Sequence, residues 1–516
     1  MVYCNILFLI LLLFLASNPV LQSTAQTGGD ELETLLRIKA DWGNPAALSS
    51  WSSMSTSYCN WTGVIGCCNG HVTALSFQNL IPNPIPVSIC NLKNLSYLDL
   101  SYNNLTGEFP TLFYTCSALR FLDLSNNHFS GALPADINKL SPELERLNLS
   151  SNGFIGDVPP AIAGFPKLKS LILDTNGFNG RYPGAAIGKL AELEELTLAS
   201  NPFMPGPIPD EFGELTKLKT LWMSWMNLTG VIPDSLSALT ELTLLDVSRN
   251  KLHGEIPAWL WKHQKLQFLY LYGNKFIGGI APEITAISML ELDLSMNSLT
   301  EPIPEAIGKM KSLSLLYLYF NDLTGSIPAS IGLLPSLTDL RLYNNQLSGP
   351  LPPELGRHSP LGNLEVCNNF LTGELPDALC FNKKLFDLVV FNNSFSGALP
   401  ASLGECDTLD NIMLHHNRFT GEFPETVWTQ FPLLTNVSIN NNNFAGILSS
   451  AISSNISEIS IGDNKFSGSL PSSAMGLTKF RAPNNQFSGT LPTNWSGFPK
   501  LNELNLAGNR ISGPIP

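Results

Sequence analysis

One spacing constrains this chain more than any other feature. Leu119-x-x-Leu122-x-Leu124-x-x-Asn127-x-Phe129-x-Gly131-x-Leu133-Pro134 returns along the sequence, usually at a step of 24 residues. Copies stand at Leu95/Asn103, Leu144/Asn152, Leu242/Asn250, Leu313/Asn321, Leu337/Asn345, Leu385/Asn393 and Leu501/Asn509, among eighteen clear repeats. A repeat this short cannot bury its apolar side alone, so neighbouring copies must stack and share one core. Length by itself would suggest several domains; the repeat replaces that expectation with one elongated stack.

The frame has a physical reading. The second and third Leu alternate along a short strand and point the same way, inward. The Asn stands where the chain turns, and its amide is expected to bond backbone groups that stacking would otherwise bury unpaired. The Gly and Pro that follow turn the chain and stop a helix. Met226 stands where one copy should carry its Asn; the expectation there is a neighbouring polar group left poorly satisfied, or water in the gap, and the change reads as drift more than function. Leu and Asn together make up about a quarter of the chain, which is what such a frame demands.

The pattern LxxLxLxxNxLxGxIP resembles the plant-specific form of the leucine-rich repeat, over residues 30–516. That implies an α/β repeat: a curved plant-type leucine-rich-repeat solenoid of about nineteen coils, occupying 71–516, behind an N-terminal cap at 26–70. The cap reads as helical, because Leu32, Leu35, Leu36, Ile38 and Trp42 space like one helix face. The segment Trp51 to Cys59-Asn-Trp61-Thr-Gly63-Val64 resembles the disulfide cap of plant leucine-rich-repeat proteins. In that cap Cys59 pairs with one further Cys; here the doublet Cys67-Cys68 leaves the choice open.

Charge and composition exclude other classes. Charged residues are 14% of the chain and the net charge is −13, so no basic surface exists for nucleic-acid phosphates. A hydrophobic share of 44% argues against disorder. The apolar run Ile6–Ala16, ending before Asn18-Pro19 and followed by Ser23-Thr24-Ala25, reads as a signal peptide over 1–25, too short to span a membrane. The mature chain is then secreted, or held at the plasma membrane if a receptor continues beyond Pro516. Ending on a repeat at Gly513-Pro514-Ile515-Pro516 with no cysteine cap, the chain is expected to be a shortened product.

Export agrees with the cysteines and the sequons. Cys90 and Cys116 precede Leu95 and Leu119 by the same offsets as Cys380 and Cys406 precede Leu385 and Leu409. Each pair therefore lies side by side on adjacent coils and is expected to be a disulfide, Cys90–Cys116 and Cys380–Cys406. No ligand spacing for a metal accompanies them. Asn60, Asn94, Asn104, Asn148, Asn227, Asn392, Asn436, Asn455 and Asn494 are potential glycan sites wherever they are exposed.

Nothing reads as catalytic: no phosphate loop, HRD, DFG, GxSxG or HExxH motif occurs, and no cofactor is expected. Binding is expected on the face formed by residues flanking the inward Leu positions. Its central coils carry Trp222, Phe268, Tyr270, Tyr272, Tyr317, Tyr319, Tyr343 and Phe391, with Trp225 and Phe320 beside them. Asp293, Asp339, Arg341, Glu365 and Asp387 lie among the rings, near Asp246 and Arg249. Exposed aromatics in register suit an extended peptide, and the charges would fix its register. Truncating Tyr270 and Tyr317 is expected to abolish binding and leave thermal stability unchanged. The pair His415-His416 reads as a solvated surface dyad.

The segments Asn369-Phe-Leu-Thr-Gly-Glu-Leu-Pro376, Cys380-Phe-Asn-Lys-Lys-Leu385 and Cys406 through Asn411-Ile-Met-Leu414 resemble ectodomains of HAESA-like plant receptor kinases. The resemblance implies a small secreted peptide bound on the concave face, a SERK-type co-receptor kinase as partner, and a cytoplasmic Ser/Thr kinase lying outside this chain. Several members carry an Arg-x-Arg pair that grips the C-terminal end of the peptide; Asn411 and Met413 stand here instead. The alternatives are a receptor-like immune protein without kinase, or a secreted inhibitor of a cell-wall-degrading enzyme.

Overall fold

A computed structural model describes residues 29–515 apart from 55–56 and 82–83; the expected signal peptide lies outside the described residues. The chain divides into two compact units, Met1–Phe154 and Ile155–Pro516.

In the first unit the helix Gly29–Asp41 buries Leu35 and Ile38, and Trp42 follows it into the core. Trp51 stacks on Trp61 at 5.5 Å, and Phe77 meets both Trp42 and Trp51. Gly63 sits at φ +83°, and a Cβ there would collide with the Phe77 ring, so the turn between cap and first coil needs glycine. The buried carboxylate of Glu31 accepts the Val72 N–H at 3.0 Å and meets His71 Nδ1 at 3.2 Å. This ties the helix to the hairpin Val64–Cys68/His71–Ser76. Cys59 is joined to Cys67, leaving Cys68 free and exposed. Parallel strands Tyr97–Asp99, Phe121–Asp123 and Arg146–Asn148 follow, with Leu98, Leu122 and Leu147 in register. Cys90–Cys116 staples two of these coils.

The second unit repeats the same step. Three-residue parallel strands run from Ser170–Ile172 to Glu503–Asn505, each placing its central apolar residue, such as Leu269, Leu292 and Leu316, directly beside the next. The helical part of a coil is a short 3₁₀ turn, as in Asp210–Glu214, Glu305–Lys309 and Ala329–Leu333. Each follows a proline (Pro209, Pro304, Pro328) in extended conformation, which sets the entry and leaves too few residues for a full α-helix. A second set of short parallel strands, such as Lys251–Glu255 with Lys275–Ile277, lies beyond the turn. Cys380–Cys406 joins two coils, while Cys367 is a buried free thiol pushed up to about 12 by burial.

The asparagine ladder holds the coils together. Asn345 is buried. Its Nδ2 donates to the carbonyls of Leu318, Leu342 and Tyr343 at 2.9, 3.0 and 3.4 Å, and its Oδ1 accepts the Leu323 N–H at 3.0 Å. Asn103 and Asn127 do the same in the first unit. Met226 cannot. It is 1% exposed, and the Phe203 N–H, the donor an Asn there would cap, has no hydrogen-bond partner among the described residues.

The sequons separate by environment. Asn60, Asn94, Asn104, Asn392, Asn455 and Asn494 are exposed, and Asn227 and Asn436 are half-buried. Asn148 is corrected: it is 8% exposed, donates to Asp123 Oδ2 at 2.8 Å and accepts from Ser150. Its strand position turns the amide into the inter-coil network, where no glycan fits.

Candidate functional site

Strand pleating puts every second side chain of the second unit on one face. Because the strands are in register, equivalent positions of successive coils stand one strand spacing apart, near enough for rings to stack. The sequence Tyr317-x-Tyr319 on one coil and Arg341-x-Tyr343 on the next use this directly.

Arg341 is the hub. Its Nε and Nη2 donate to Asp339 at 3.0 and 3.1 Å, and Nε lies 3.4 Å from Glu365 Oε1. The guanidinium sits over the Tyr317 ring at 4.8 Å, and the Tyr317 hydroxyl donates to Asp339 Oδ2 at 2.7 Å. Burial, then this bond, pushes the Tyr317 hydroxyl well above its ordinary value. Tyr319 and Tyr343 stack nearly parallel at 4.6 Å, with the exposed Phe320 edge-on to Tyr343 at 5.5 Å. Burial pushes the Tyr343 hydroxyl up to about 12. These residues form a rigid, half-buried platform of rings around a neutralised cation.

Asp293 lies at the edge of the platform. It is 8% exposed and accepts the Ser295 N–H at 2.9 Å and the Ser295 hydroxyl at 2.6 Å. Burial raises its carboxyl to about 6; the nearby Asp246 adds to this, and the Ser295 bonds and Arg341 oppose it. Burial also raises Asp246 and Asp387.

Other predicted residues fall into smaller groups. Trp222 donates to Ser224 Oγ at 2.7 Å, and Phe268 packs 6.5 Å from Tyr270. Tyr270 corrects the expectation of a solvent-facing ring: it is 8% exposed, and its hydroxyl donates to Glu291 Oε2 at 2.5 Å. Truncating it would open a cavity and orphan a carboxylate, so it cannot report binding alone. Phe391 belongs to a separate stack with His415 at 4.3 Å. The His pair is therefore not uniformly solvated: burial, then His416, lowers His415, while His416 is exposed. Asn411 and Met413, where the Arg pair was missing, lie in register with Asp387 and Val389.

Sequence reasoning missed two features. Asn344, Asn368 and Asn392 form a side-chain chain, Asn368 donating to Asn344 and Asn392 to Asn368, both at 2.8 Å. The signal was present in the doublets Asn344-Asn345, Asn368-Asn369 and Asn392-Asn393. The Arg249 guanidinium lies over two rings, Trp225 at 5.0 Å and Tyr272 at 5.4 Å. These three residues sit on successive coils, so their contact was concealed by sequence separation.

Family models match along the chain: the leucine rich repeat N-terminal domain over 29–67, a leucine-rich repeat region over 113–277, and leucine rich repeats over 86–129, 288–310 and 336–358. Among solved structures, the ectodomain of the Arabidopsis receptor kinase HAESA, in complex with the peptide hormone IDA and the co-receptor SERK1, superposes with a TM-score of 0.88 at 33% identity. The match covers 95% of this chain and 87% of that one. The plant peptide hormone receptor RGFR1, in complex with RGF2, gives 0.71 at 29% identity, covering 83% and 77%. The LRR receptor-like serine/threonine-protein kinase GSO2 of Arabidopsis thaliana is 37% identical over 115 residues, 21% of this chain and 9% of that protein. The matched segments span about a tenth of the length of such full-length relatives.

Proposed function

The chain belongs to the leucine-rich-repeat receptor-kinase ectodomains of the HAESA branch, and from that premise we propose that it is the extracellular ligand-binding part of a plasma-membrane receptor. It binds a small secreted peptide in extended form on the strand face of its second unit and presents it to a SERK-type co-receptor kinase. The observation that carries the reading is the Tyr317–Arg341–Tyr319–Tyr343 platform. Its rings are stacked and held before any ligand arrives, so contact area is offered at little entropic cost. Arg341 is already neutralised by Asp339 and Glu365, so the platform suits apolar side chains of a peptide better than its charged end. The peptide's terminus is not gripped by an Arg pair, because Asn411 and Met413 occupy those positions. In the likeness to HAESA, whose solved complex contains a peptide hormone and a co-receptor, the proposal finds its support.

The test is calorimetry of the ectodomain against a panel of secreted plant peptides. A binder is expected, and Tyr319→Ala with Tyr343→Ala should weaken it roughly 100-fold, as loss of two central aromatic anchors does, while thermal unfolding stays cooperative. Unaltered affinity in the double variant would remove the platform from the binding site.

A further inference from the structure

The site described above neutralises its cation; a second place on the same unit does not. Arg249 is exposed and lies over the Trp225 and Tyr272 rings at 5.0 and 5.4 Å. Its guanidinium has no ion pair and no hydrogen bond to any described residue, whereas Arg341 and Arg481 are both paired with carboxylates. In a chain of net charge −13, an unpaired arginine held against two rings is uncommon. Ring contact restricts the side chain and leaves its in-plane N–H donors open, the geometry that takes an oxyanion edge-on.

Two further observations mark the same spot. Trp225 is 57% exposed, an apolar ring left in water. Finally, a hollow of about 360 Å³ opens here, lined by Ser200, Asn201, Pro202, Trp225, Asn227 and Arg249. It lies directly at the coil where Met226 breaks the asparagine ladder.

We infer that Arg249, Trp225 and Tyr272 form an anion subsite for an oxyanion carried on an apolar or aromatic body: a carboxylate, or a sulfate or phosphate ester, of the ligand. Arg249 supplies a bidentate donor pair to the oxyanion, and Trp225 covers the attached apolar body. The subsite builds on the proposal that this face takes an extended peptide, and on that reading it binds an acidic side chain of the peptide.

The experiment needs no peptide, so the two readings fail separately. The whole ectodomain is titrated with phenylacetate, phenyl sulfate and phenyl phosphate, with benzamide as neutral control, and binding is read by saturation-transfer NMR. At least one acid is expected to bind in the millimolar range or tighter and benzamide to bind more weakly. Arg249→Gln should weaken the bound acid roughly tenfold or more, as loss of a charge-assisted contact does. Arg249→Lys should restore only part of it, since Lys lacks the planar fork, and Trp225→Ala should weaken acid and benzamide alike. The preferred acid separates carboxylate from ester ligands. Equal affinity of wild type and Arg249→Gln, or benzamide binding as well as the acids, overturns the subsite and leaves the peptide reading standing.

Discussion

The coil ending at Asn345 and the coil ending at Met226 are built on the same frame and differ in whether it is completed. At Asn345 one side chain bonds three carbonyls and an amide, and the face above it holds stacked rings around a paired arginine. At Met226 the bonds are missing and the Phe203 N–H is unpartnered among the described residues; beside it Trp225 is exposed, with the Arg249 guanidinium of the next coil 5.0 Å from its ring. The completed frame at Asn345 lies under a saturated, preorganised surface; the interrupted one at Met226 lies next to an open surface, where the Arg249 donors of the adjoining coil are free for a ligand.

The comparison can be attacked by imposing the break on the intact coil. Asn345→Met should cost about 3 kcal/mol locally, because the Leu323 N–H loses its acceptor and three buried carbonyls lose a donor. A solenoid need not unfold in two states, so the measurement is native-state hydrogen exchange at Leu323. Unchanged protection there would show that the ladder is not what separates the two coils.

The acidic residues sharpen it next. Asp293, beside the platform, titrates at about 6 in the fold, above the ordinary value near 3.9 of an unfolded chain. Between those values the folded chain holds a proton that the unfolded chain releases, so stability is greatest below about pH 4 and falls as pH rises through 6. The loss should be on the order of 3 kcal/mol. In Asp293→Asn the slope of stability between pH 4 and 6 should flatten, measured as chemical denaturation of the second unit's fluorescence. An unchanged slope would assign the titration to Asp246 or Asp387.

The smallest effect is the repair. Met226→Asn should gain about 1 kcal/mol, the roughly 3 kcal/mol of a completed set of ladder bonds less about 2 kcal/mol of lost apolar burial of Met, and should slow exchange of the Phe203 amide. If exchange at Phe203 is already as slow as at Leu323, the coil was never broken.

Much of this was legible from spacing. Inward Leu positions, the ladder Asn and the offsets of Cys90/Cys116 and Cys380/Cys406 all follow from a fixed repeat length, because a residue's environment then depends only on its place in the frame. What was not legible concerns contacts between coils. Tyr270 and Tyr317 hold the same place in the frame, yet Tyr270 is buried against Glu291 while Tyr317 stays half-buried beneath Arg341. Asn148 and Asn104 are both sequons, and only the first is drawn into a bond with the preceding coil's Asp123.

The sequence by itself determined that this protein is a stack of leucine-rich coils with a capped start and a strand face of rings and charges. Such features are periodic, and periodicity survives without coordinates. The tertiary structure alone decided which Cys pairs with Cys59, which rings stack, which carboxylates are lifted toward neutral, and that Arg249 lies over two rings with no carboxylate partner among the described residues. Apart from Cys59–Cys67, eight residues apart, those outcomes depend on ångström distances between side chains some 20 or more residues apart, where each group's partner sets its charge and exposure.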